Sequence, residues 1–506
     1  MIFSSISFFL FTFILIFLIK YTPIKYRIHT LLFSSVYFYA FWNPPYIILI
    51  GSSIIINYYL YRIRENLPRN IRIWLPVSLN LIPLIFYKYL NFILFKLTHL
   101  GPDLFDLKNQ FDPFIPLAIS FFTFQQIAFH MDNIDKKGST ISFRDYSFFV
   151  LYFPQLIAGP IVHHSEILPA LKNKKIQINY ENLKIGITLF TIGIIKKTVI
   201  ADTLDPIVAN VFETTHKGLD PSTIGAWIGA LGYSAQLYFD FSGYADMAIG
   251  VSYIFNIKLP INFYSPYRSL SLIEFWKRWH ITLSRFLMDY IYIPLGGNKK
   301  GKIRKIINIF TTMFIGGIWH GAGYTFIVWG TLHALGISIN HVFRDNITKK
   351  LKPNKLINSF FFILTNIYII IAWVYFRAEN VKTANILLRK IFLIDPITFP
   401  IRFISIFGEK SKLLAQNFGH TNNPAYTNLN DLLIVVASFL LLYILPDTIE
   451  IIGERHPGLG KDLFLKNKHY IFNSLSDRAI GFLCGFLLTT CLMLTLRGSP
   501  FIYFQF

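Results

Sequence analysis

Two histidines could carry proton-transfer chemistry, because each stands in a stretch unlike the rest of the chain. His280 ends the segment EFWKRWH at 274–280, the densest polar cluster of the sequence. His320 stands between a tryptophan and the glycine-rich run GAG at 321–323, within an apolar region. A neutral imidazole can take a proton from a hydroxyl near pH 7, which is the role of a general base. We therefore interpret His320 and His280 as candidate catalytic residues.

His320 is the sharper of the two candidates. Glycines at 316, 317, 321 and 323 let another group approach the backbone closely, and a histidine among them is poor packing material. The structural alternative is a histidine that ties two helices together by a hydrogen bond. His333 lies 13 residues further on, about 220° around a continuous helix, so we expect it to be structural.

Polar and aromatic residues around these histidines are candidates for binding or supporting roles. Glu274 with Arg278, and Arg285 with Asp289, are spaced to pair along a helix face. The alternative is a membrane-surface helix with aromatic anchors and ordinary salt bridges. The candidate substrate-binding or supporting residues are Trp276, Arg278, Trp279, Ser284, Asp289, Trp319 and Asp240.

Asp240 belongs to the segment YFDFSGYAD at 238–246, which places two carboxylates in an apolar region. An internal carboxylate must pair, here with a basic residue or with backbone amides. A hydrogen-bonded break in the apolar region and a substrate contact are both open interpretations.

Other chemistries find little support in the sequence. His163 and His164 are adjacent, but an iron site would need further histidine boxes, so no metal is expected. Cys484 and Cys491 lie about 10.5 Å apart on a helix, beyond the roughly 7 Å limit for a disulfide. No glycine-rich nucleotide loop is present, so ATP-driven transport is not indicated.

The elements that position these residues are predicted to be membrane helices. Of 506 residues, 53% are hydrophobic and only 15% are charged, whereas in soluble domains about a quarter of the residues are charged. About 20 apolar residues cross the bilayer core, and these blocks lack the alternation of barrel strands. We therefore predict an all-α polytopic membrane protein with about a dozen transmembrane or re-entrant helices. Representative blocks are Ile2–Ile19, Ile47–Tyr59, Ile115–Met131 and Leu432–Leu445.

The net charge of +21 fits a membrane protein better than a nucleic-acid-binding one. Basic residues concentrate between the apolar blocks, as in cytoplasmic loops. We therefore expect the lipid bilayer as a partner and no nucleic acid. Met1–Ile19 lacks a basic start and a small-residue cleavage site, and we expect it to be a retained first helix. The basic loops include Arg62–Arg72, Lys172–Lys175, Asn298–Lys305 and Lys349–Lys355.

The charge pattern predicts a hairpin around His320. Asn298–Lys305 and Arg344–Lys355 are both basic and are expected on the same side, so the chain between them enters and returns. About fifteen helical residues reach about 22 Å, which would leave His320 inside the membrane, in protein or in a wet cavity. The same threading places the tail Arg497–Phe506 outside, and the acidic residues of the loop 99–113 indicate that this loop also faces outward.

Taken together, these residues resemble the membrane-bound O-acyltransferase (MBOAT) family, in particular members that O-acetylate alginate or peptidoglycan. The resemblance covers nearly the whole chain and implies an MBOAT fold, with helices around a buried tunnel. The matching segments include LIAGPIV (156–162), KKTVIADTL (196–204), YSAQLYFDFSGYADMAIG (233–250), EFWKRWHITLSRFLMDYIYIPLGG (274–297), GGIWHGAGYTFIVWG (316–330) and WVYFRAEN (373–380).

The resemblance assigns roles to both histidines. The family's principal histidine maps onto His320, as the general base on a hydroxyl, and its second histidine maps onto His280, which positions or polarises the thioester. It implies acetyl-CoA as the cytoplasmic acyl donor, with no metal. Lys299 and Lys300 could attract the phosphates of the donor, although surface topology explains these lysines equally well.

The resemblance also implies partners outside the cell's inner membrane. These are a separate protein with a serine-histidine-aspartate (SGNH) hydrolase-like site and a polysaccharide acceptor, alginate-like or peptidoglycan. Tyr503 would hold the acyl group in a relay, or the tail would be a hydrophobic docking segment.

We expect one membrane domain over 1–506, with N-terminal helices in 1–110, a catalytic core in 111–345 and C-terminal helices in 346–506. Two other classes of function stay open. One is a transporter or flippase for an acyl donor or glycan, against which the lack of inverted repeats counts mildly. The other is a scaffold that would tolerate loss of both histidines.

Overall fold

The computed structural model describes residues 1–97, 115–138, 141–157, 159–172, 176–343, 354–395, 397–400, 420–421, 429–453 and 475–495. The predicted outer loop 99–113, the tail Arg497–Phe506 and with it Tyr503 lie outside the described residues. The described chain is helical apart from two short paired strands, so the predicted all-α class is confirmed. These strands, β1 (Phe399–Pro400) and β2 (His420–Thr421), are parallel and two residues long.

The described residues form twenty α-helices. In order they are α1 (Ile6–Tyr21), α2 (Arg27–Ala40), α3 (Tyr46–Ile63), α4 (Arg69–Leu84), α5 (Ile119–Asn133), α6 (Phe143–Leu151), α7 (Phe153–Leu156), α8 (His164–Lys172), α9 (Tyr180–Ile195), α10 (Asp202–His216), α11 (Thr223–Ile254), α12 (Leu272–Arg278), α13 (Ile281–Leu287), α14 (Gly301–His320), α15 (Tyr324–Phe343), α16 (Lys355–Arg377), α17 (Val381–Ile391), α18 (Leu429–Ile444), α19 (Thr448–Ile452) and α20 (Asp477–Thr495). π-Helical turns occur at Ile85–Tyr89, Phe92–Leu97, Lys196–Ala201 and Met288–Tyr292.

The chain is a multi-pass membrane protein. Five described helices are long and apolar enough to cross a membrane, and α1 and α18 are shorter apolar helices. Their lipid-facing side chains are apolar and exposed, as those of α1 illustrate with Phe13 and Leu10. The predicted number of about a dozen membrane segments stays a prediction, since five helices among the described residues are long enough to cross a membrane.

Helix α11 runs 32 residues through the middle of the molecule and is buried over nearly its whole length. Helix α11 is not interrupted at YFDFSGYAD. Both carboxylates form ion pairs with lysines of the neighbouring π-helical turn Lys196–Ala201. Asp240 binds Lys197 and Asp246 binds Lys196, each at 2.7 Å. A helix keeps its backbone hydrogen bonds internal, so with the charges paired no break is needed.

Helices α14 and α15 form the predicted hairpin, which turns at Gly321–Gly323. The two helices pack closely through glycines. A Cβ on Gly317 would lie 2.5 Å from the carbonyl oxygen of Phe326, and one on Gly330 would lie 2.7 Å from that of Met313. Glycine is therefore required on both sides of the contact. The depth of the turn in the bilayer stays a prediction.

Candidate active site

His320 is the last residue of α14, and a neighbouring turn completes this helix end. The last carbonyl groups of a helix have no partner within it and form the negative end of its dipole. The Lys88 ammonium donates to the carbonyl oxygens of Trp319 at 2.8 Å and His320 at 2.9 Å. The Tyr89 hydroxyl donates to that of Ile318 at 2.9 Å. The position of the histidine is thus fixed by the π-helical turn Ile85–Tyr89 as well as by its own helix.

Aromatic rings surround the buried imidazole of His320. Its centroid lies 4.9 Å from those of Trp319 and Trp329 and 5.2 Å from that of Phe376. His333 contacts the other side of Trp329, at 4.7 Å between ring centroids. His333 thus approaches the site through one tryptophan, and its structural role stays a prediction.

His280 is held in one orientation by Asn262. Its Nδ1 lies 3.1 Å from the Asn262 side-chain oxygen, which also accepts from the Thr282 hydroxyl at 2.9 Å. Because this oxygen only accepts, the network assigns the ring proton to Nδ1 and leaves Nε2 unprotonated. The backbone of His280 is left-handed, with φ of +43°. Such strain in a residue other than glycine is typical of functional sites.

Trp319 connects the two candidate histidines. Its ring centroid lies 6.3 Å from that of His280 and 4.9 Å from that of His320. Phe241, next to Asp240 on α11, packs edge-on against His280 at 4.7 Å. The structure therefore brings His280, His320 and Trp319 together, whereas Asp240 pairs with Lys197 and only its neighbour Phe241 contacts His280.

A cavity of about 90 Å³ borders His320. It is several times larger than the roughly 10–15 Å³ that one water needs by the same measure, so a small group fits beside the imidazole. It is lined by His320, Trp319, Lys88, Trp42, Ile157 and residues 115–121.

Two further spaces lie near this cavity. An apolar groove of about 490 Å³ lies along the turn at Gly321–Gly323 and shares Trp319 with the first cavity. A larger groove of about 870 Å³ shares Leu81, Phe124 and Ile315 with it and includes Arg69. The three spaces are thus linked by shared lining residues, and His320 lines the first of them.

A polar cluster around Asp132 lines the larger groove. The carboxylate accepts from the Tyr290 hydroxyl at 2.6 Å, and it lies 3.3 Å from His163 Nδ1 and 3.4 Å from His164 Nδ1. Burial raises the pKa of the Asp132 carboxyl, but the hydrogen bonds from His163, His164 and Tyr290 outweigh burial and hold that pKa below its usual range. The adjacent histidines thus share a carboxylate.

One of the two predicted helix-face ion pairs is present. Arg278 binds Glu274 at 2.8 Å, as expected. The prediction for Arg285 and Asp289 is wrong, because the guanidinium of Arg285 donates to Glu166 at 2.7 Å. The helical spacing fails there because α13 gives way to a π-helical turn that begins at Met288.

The remaining predicted residues divide into two groups. Trp276 donates to Nδ1 of His333 at 3.2 Å, Trp279 packs on Trp373 at 4.9 Å, and the Ser284 hydroxyl donates to the Trp279 carbonyl at 3.3 Å. These three support the aromatic surroundings of the histidines. The other predicted residues lie away from His320. Arg278 is near the surface, and Asp289 lines the larger groove. Lys299 and Lys300 are exposed just before α14, whose length of about 30 Å separates them from His320 at its other end.

Sequence reasoning missed Lys88, Tyr89 and Asn262. Lys88 carried a usable signal, since it is the one charged residue in the apolar run from 81 to 95, and ionisable groups in such runs indicate function. Nothing in the sequence near Asn262 indicates its contact with His280.

Comparison with known proteins gives matches over most of the chain. The profile of the MBOAT, membrane-bound O-acyltransferase family matches residues 77–378. A protein of Helicobacter pylori named peptidoglycan O-acetyltransferase is 43% identical over 70% of this chain and 71% of its own. A probable alginate O-acetylase AlgI of Pseudomonas putida is 38% identical over 76% and 79%, and a teichoic acid D-alanyltransferase of Bacillus subtilis is 30% identical over 47% and 61%.

Proposed function

Because the chain belongs to the membrane-bound O-acyltransferase family and is an acyltransferase, we propose that it moves an acetyl group from cytoplasmic acetyl-CoA across a bacterial inner membrane to a polysaccharide. Two relatives carry names for O-acetylation of peptidoglycan and of alginate, and a third carries one for D-alanylation of teichoic acid. We therefore propose an envelope glycan as the final acceptor, either alginate-like or peptidoglycan.

The observation that carries the proposal is the series of three spaces linked by shared lining residues, two of which share Trp319. Trp42, just before α3, lines the small cavity, whereas Arg69, beyond the other end of α3, lines the larger groove. Arg69 belongs to the basic segment Arg62–Arg72, which the positive-inside rule assigns to the cytoplasm. We propose that a donor from the cytoplasm and an acceptor from outside meet at His320, which lines the small cavity.

In the proposed reaction His320 takes the proton of the acceptor hydroxyl. The hydroxyl oxygen attacks the thioester carbonyl carbon, the carbon–sulfur bond breaks, and the thiolate receives the proton from His320. For His280, positioning fits the assigned tautomer better than polarising, since an unprotonated Nε2 accepts a hydrogen bond and cannot donate one to a carbonyl. The small cavity at His320 favours a short acyl group.

Delivery to the glycan is proposed to need an extracytoplasmic SGNH hydrolase-like partner. Tyr503 is proposed as the relay residue that passes the acetyl group to it, with a docking tail as the alternative. Labelled acetyl groups on Tyr503 would support the relay, and unchanged transfer by Tyr503→Phe would rule it out. Lys299 and Lys300 are proposed to attract the phosphates of the donor, and their replacement by glutamine should raise its KM.

A reconstitution experiment separates an acyltransferase from a transporter. Proteoliposomes receive acetyl-CoA labelled separately in its acetyl group and in its CoA portion, with a hydroxyl acceptor supplied to the opposite face. The proposal predicts free CoA thiol on the donor side and acetyl label on the acceptor. Uptake of both labels as intact thioester would contradict it and support the transporter. When the same assay is applied to His320→Ala, the matched control is His216→Ala, which removes a histidine paired with Glu379 at 2.9 Å.

A further inference from the structure

Lys88 is a basic residue whose side chain lies beside the candidate base. Among the residues that the structure describes, no carboxylate oxygen lies within 4 Å of its ammonium, which donates to the carbonyl oxygens of Trp319 and His320. An ammonium group has three N–H donors, and these two bonds use two of them. The same side chain lines the small cavity together with His320. An intramembrane charge is costly to keep and indicates function.

Helix capping alone does not account for a lysine at this position. The neutral hydroxyl of Tyr89 donates its single proton to the carbonyl oxygen of Ile318 at 2.9 Å, with that of Trp319 at 3.3 Å, so an uncharged donor already serves at this helix end. The negative end of the α14 dipole lies at His320 and would disfavour a negative charge forming beside it. A cation at this helix end reverses that effect.

We propose that the Lys88 ammonium stabilises the negative charge that develops on the thioester carbonyl oxygen during acyl transfer. This inference rests on the proposed function. As the acceptor oxygen adds to the carbonyl carbon, the carbonyl π electrons move onto the oxygen, and the third N–H of Lys88 donates to it. When the carbon–sulfur bond breaks, the carbonyl re-forms, the thiolate leaves, and His320 returns the proton to sulfur. The ammonium of Lys88 keeps all its protons throughout.

His280 does not supply this donor in the assigned tautomer, since its Nε2 is unprotonated and its Nδ1 proton is directed at Asn262. Preorganised donors at a developing oxyanion are among the largest contributions to catalysis, and removal of one costs about 10²–10³ in kcat. Lys88 would therefore act mainly on kcat and little on the KM of the donor.

The test compares Lys88→Gln, which keeps N–H donors for the helix end and removes the charge, with Lys88→Arg, which keeps both. The matched control is Lys390→Gln, since Lys390 is a buried lysine on α17. For Lys88→Gln we expect kcat to fall about 100-fold or more, with the KM of acetyl-CoA within about threefold and a thermal midpoint near that of the wild type. Lys88→Arg should retain about a tenth of kcat or more.

A folded Lys88→Gln variant with kcat within about threefold of the wild type would overturn the inference. If Lys88→Gln does not fold, Lys88→Arg decides: at least a tenth of wild-type kcat supports the role, and a folded but inactive protein contradicts it. His320→Ala is assayed in parallel. Normal turnover by folded His320→Ala would refute the proposed function itself, whereas an inactive His320→Ala beside an active Lys88→Gln refutes only the role of Lys88.

Discussion

The Nδ1 atom of His280 lies 3.1 Å from the side-chain oxygen of Asn262, and Thr282 donates to the same oxygen. This contact determines which ring nitrogen of His280 carries the proton. It also connects the loop before α12 to the turn that begins α13. The orientation of the second histidine is therefore set by a residue 18 positions earlier in the chain.

Replacement of Asn262 by alanine should lower kcat without unfolding the protein. Loss of the acceptor frees His280 to adopt the other tautomer and another orientation, and we expect kcat to fall at least about tenfold, since misplacement of a positioning group costs up to about 10²-fold. Asn262→Asp keeps an acceptor at the same place and should retain more activity than Asn262→Ala. Acetyl transfer by the two purified variants measures the difference, and equal activities would contradict the assigned role.

Substitution of Gly317 should destabilise the hairpin. A Cβ there meets the Phe326 carbonyl oxygen at 2.5 Å, and backbone cannot move aside, so Gly317→Ala should lose about 1–3 kcal/mol. Gly485 on α20 has nothing within 4 Å of a Cβ, so Gly485→Ala should gain up to about 1 kcal/mol. Thermal unfolding in detergent compares them. A Gly317→Ala variant as stable as Gly485→Ala would show that the helices can separate freely.

The buried pair of Asp240 and Lys197 should contribute strongly to stability. Removing one partner of a buried ion pair costs about 3–5 kcal/mol, and Asp240→Asn should lie near the lower limit because Asp202 still binds Lys197 at 2.7 Å. The control is Asp135→Asn, since Asp135 and Arg69 form an exposed pair worth at most about 1 kcal/mol. Equal thermal midpoints for both variants would argue against a structural role for the buried pair.

The Asp132 cluster should make stability depend on pH in acid. Because the hydrogen bonds hold the folded pKa of Asp132 below its usual value, its contribution is present above about pH 4, near the unfolded pKa, and is lost as pH falls toward the folded pKa. The difference in thermal midpoint between wild type and Asp132→Asn should be smaller at pH 3 than at pH 5. A difference that stays constant down to pH 3 would contradict this assignment.

Much of the fold followed from composition and charge. Long apolar blocks predicted membrane helices, and two basic loops predicted the α14–α15 hairpin with His320 at its turn. Local spacing was reliable within one regular helix, as for Glu274 and Arg278. It failed for Arg285 because a π-helical turn changes the angular position of the residues after Met288.

The missed parts of the site depend on contacts distant in sequence. Lys88 reaches the end of α14 across 231 residues, and Asn262 reaches His280 around a loop. Periodicity reports only which face of a helix a residue occupies, so it cannot identify such partners. Asp240 shows the same limit, since its need for a partner was predictable but Lys197 was not specified.

If His320 is the base of the acyl transfer, its replacement should abolish thiol release in a folded protein. Wild type, His320→Ala and the control His216→Ala are purified, checked for equal thermal midpoints, and assayed for thiol release from acetyl-CoA in the presence of acceptor. We expect normal release by His216→Ala and a loss of at least about 100-fold for His320→Ala. A folded His320→Ala protein that releases thiol at the wild-type rate would contradict it.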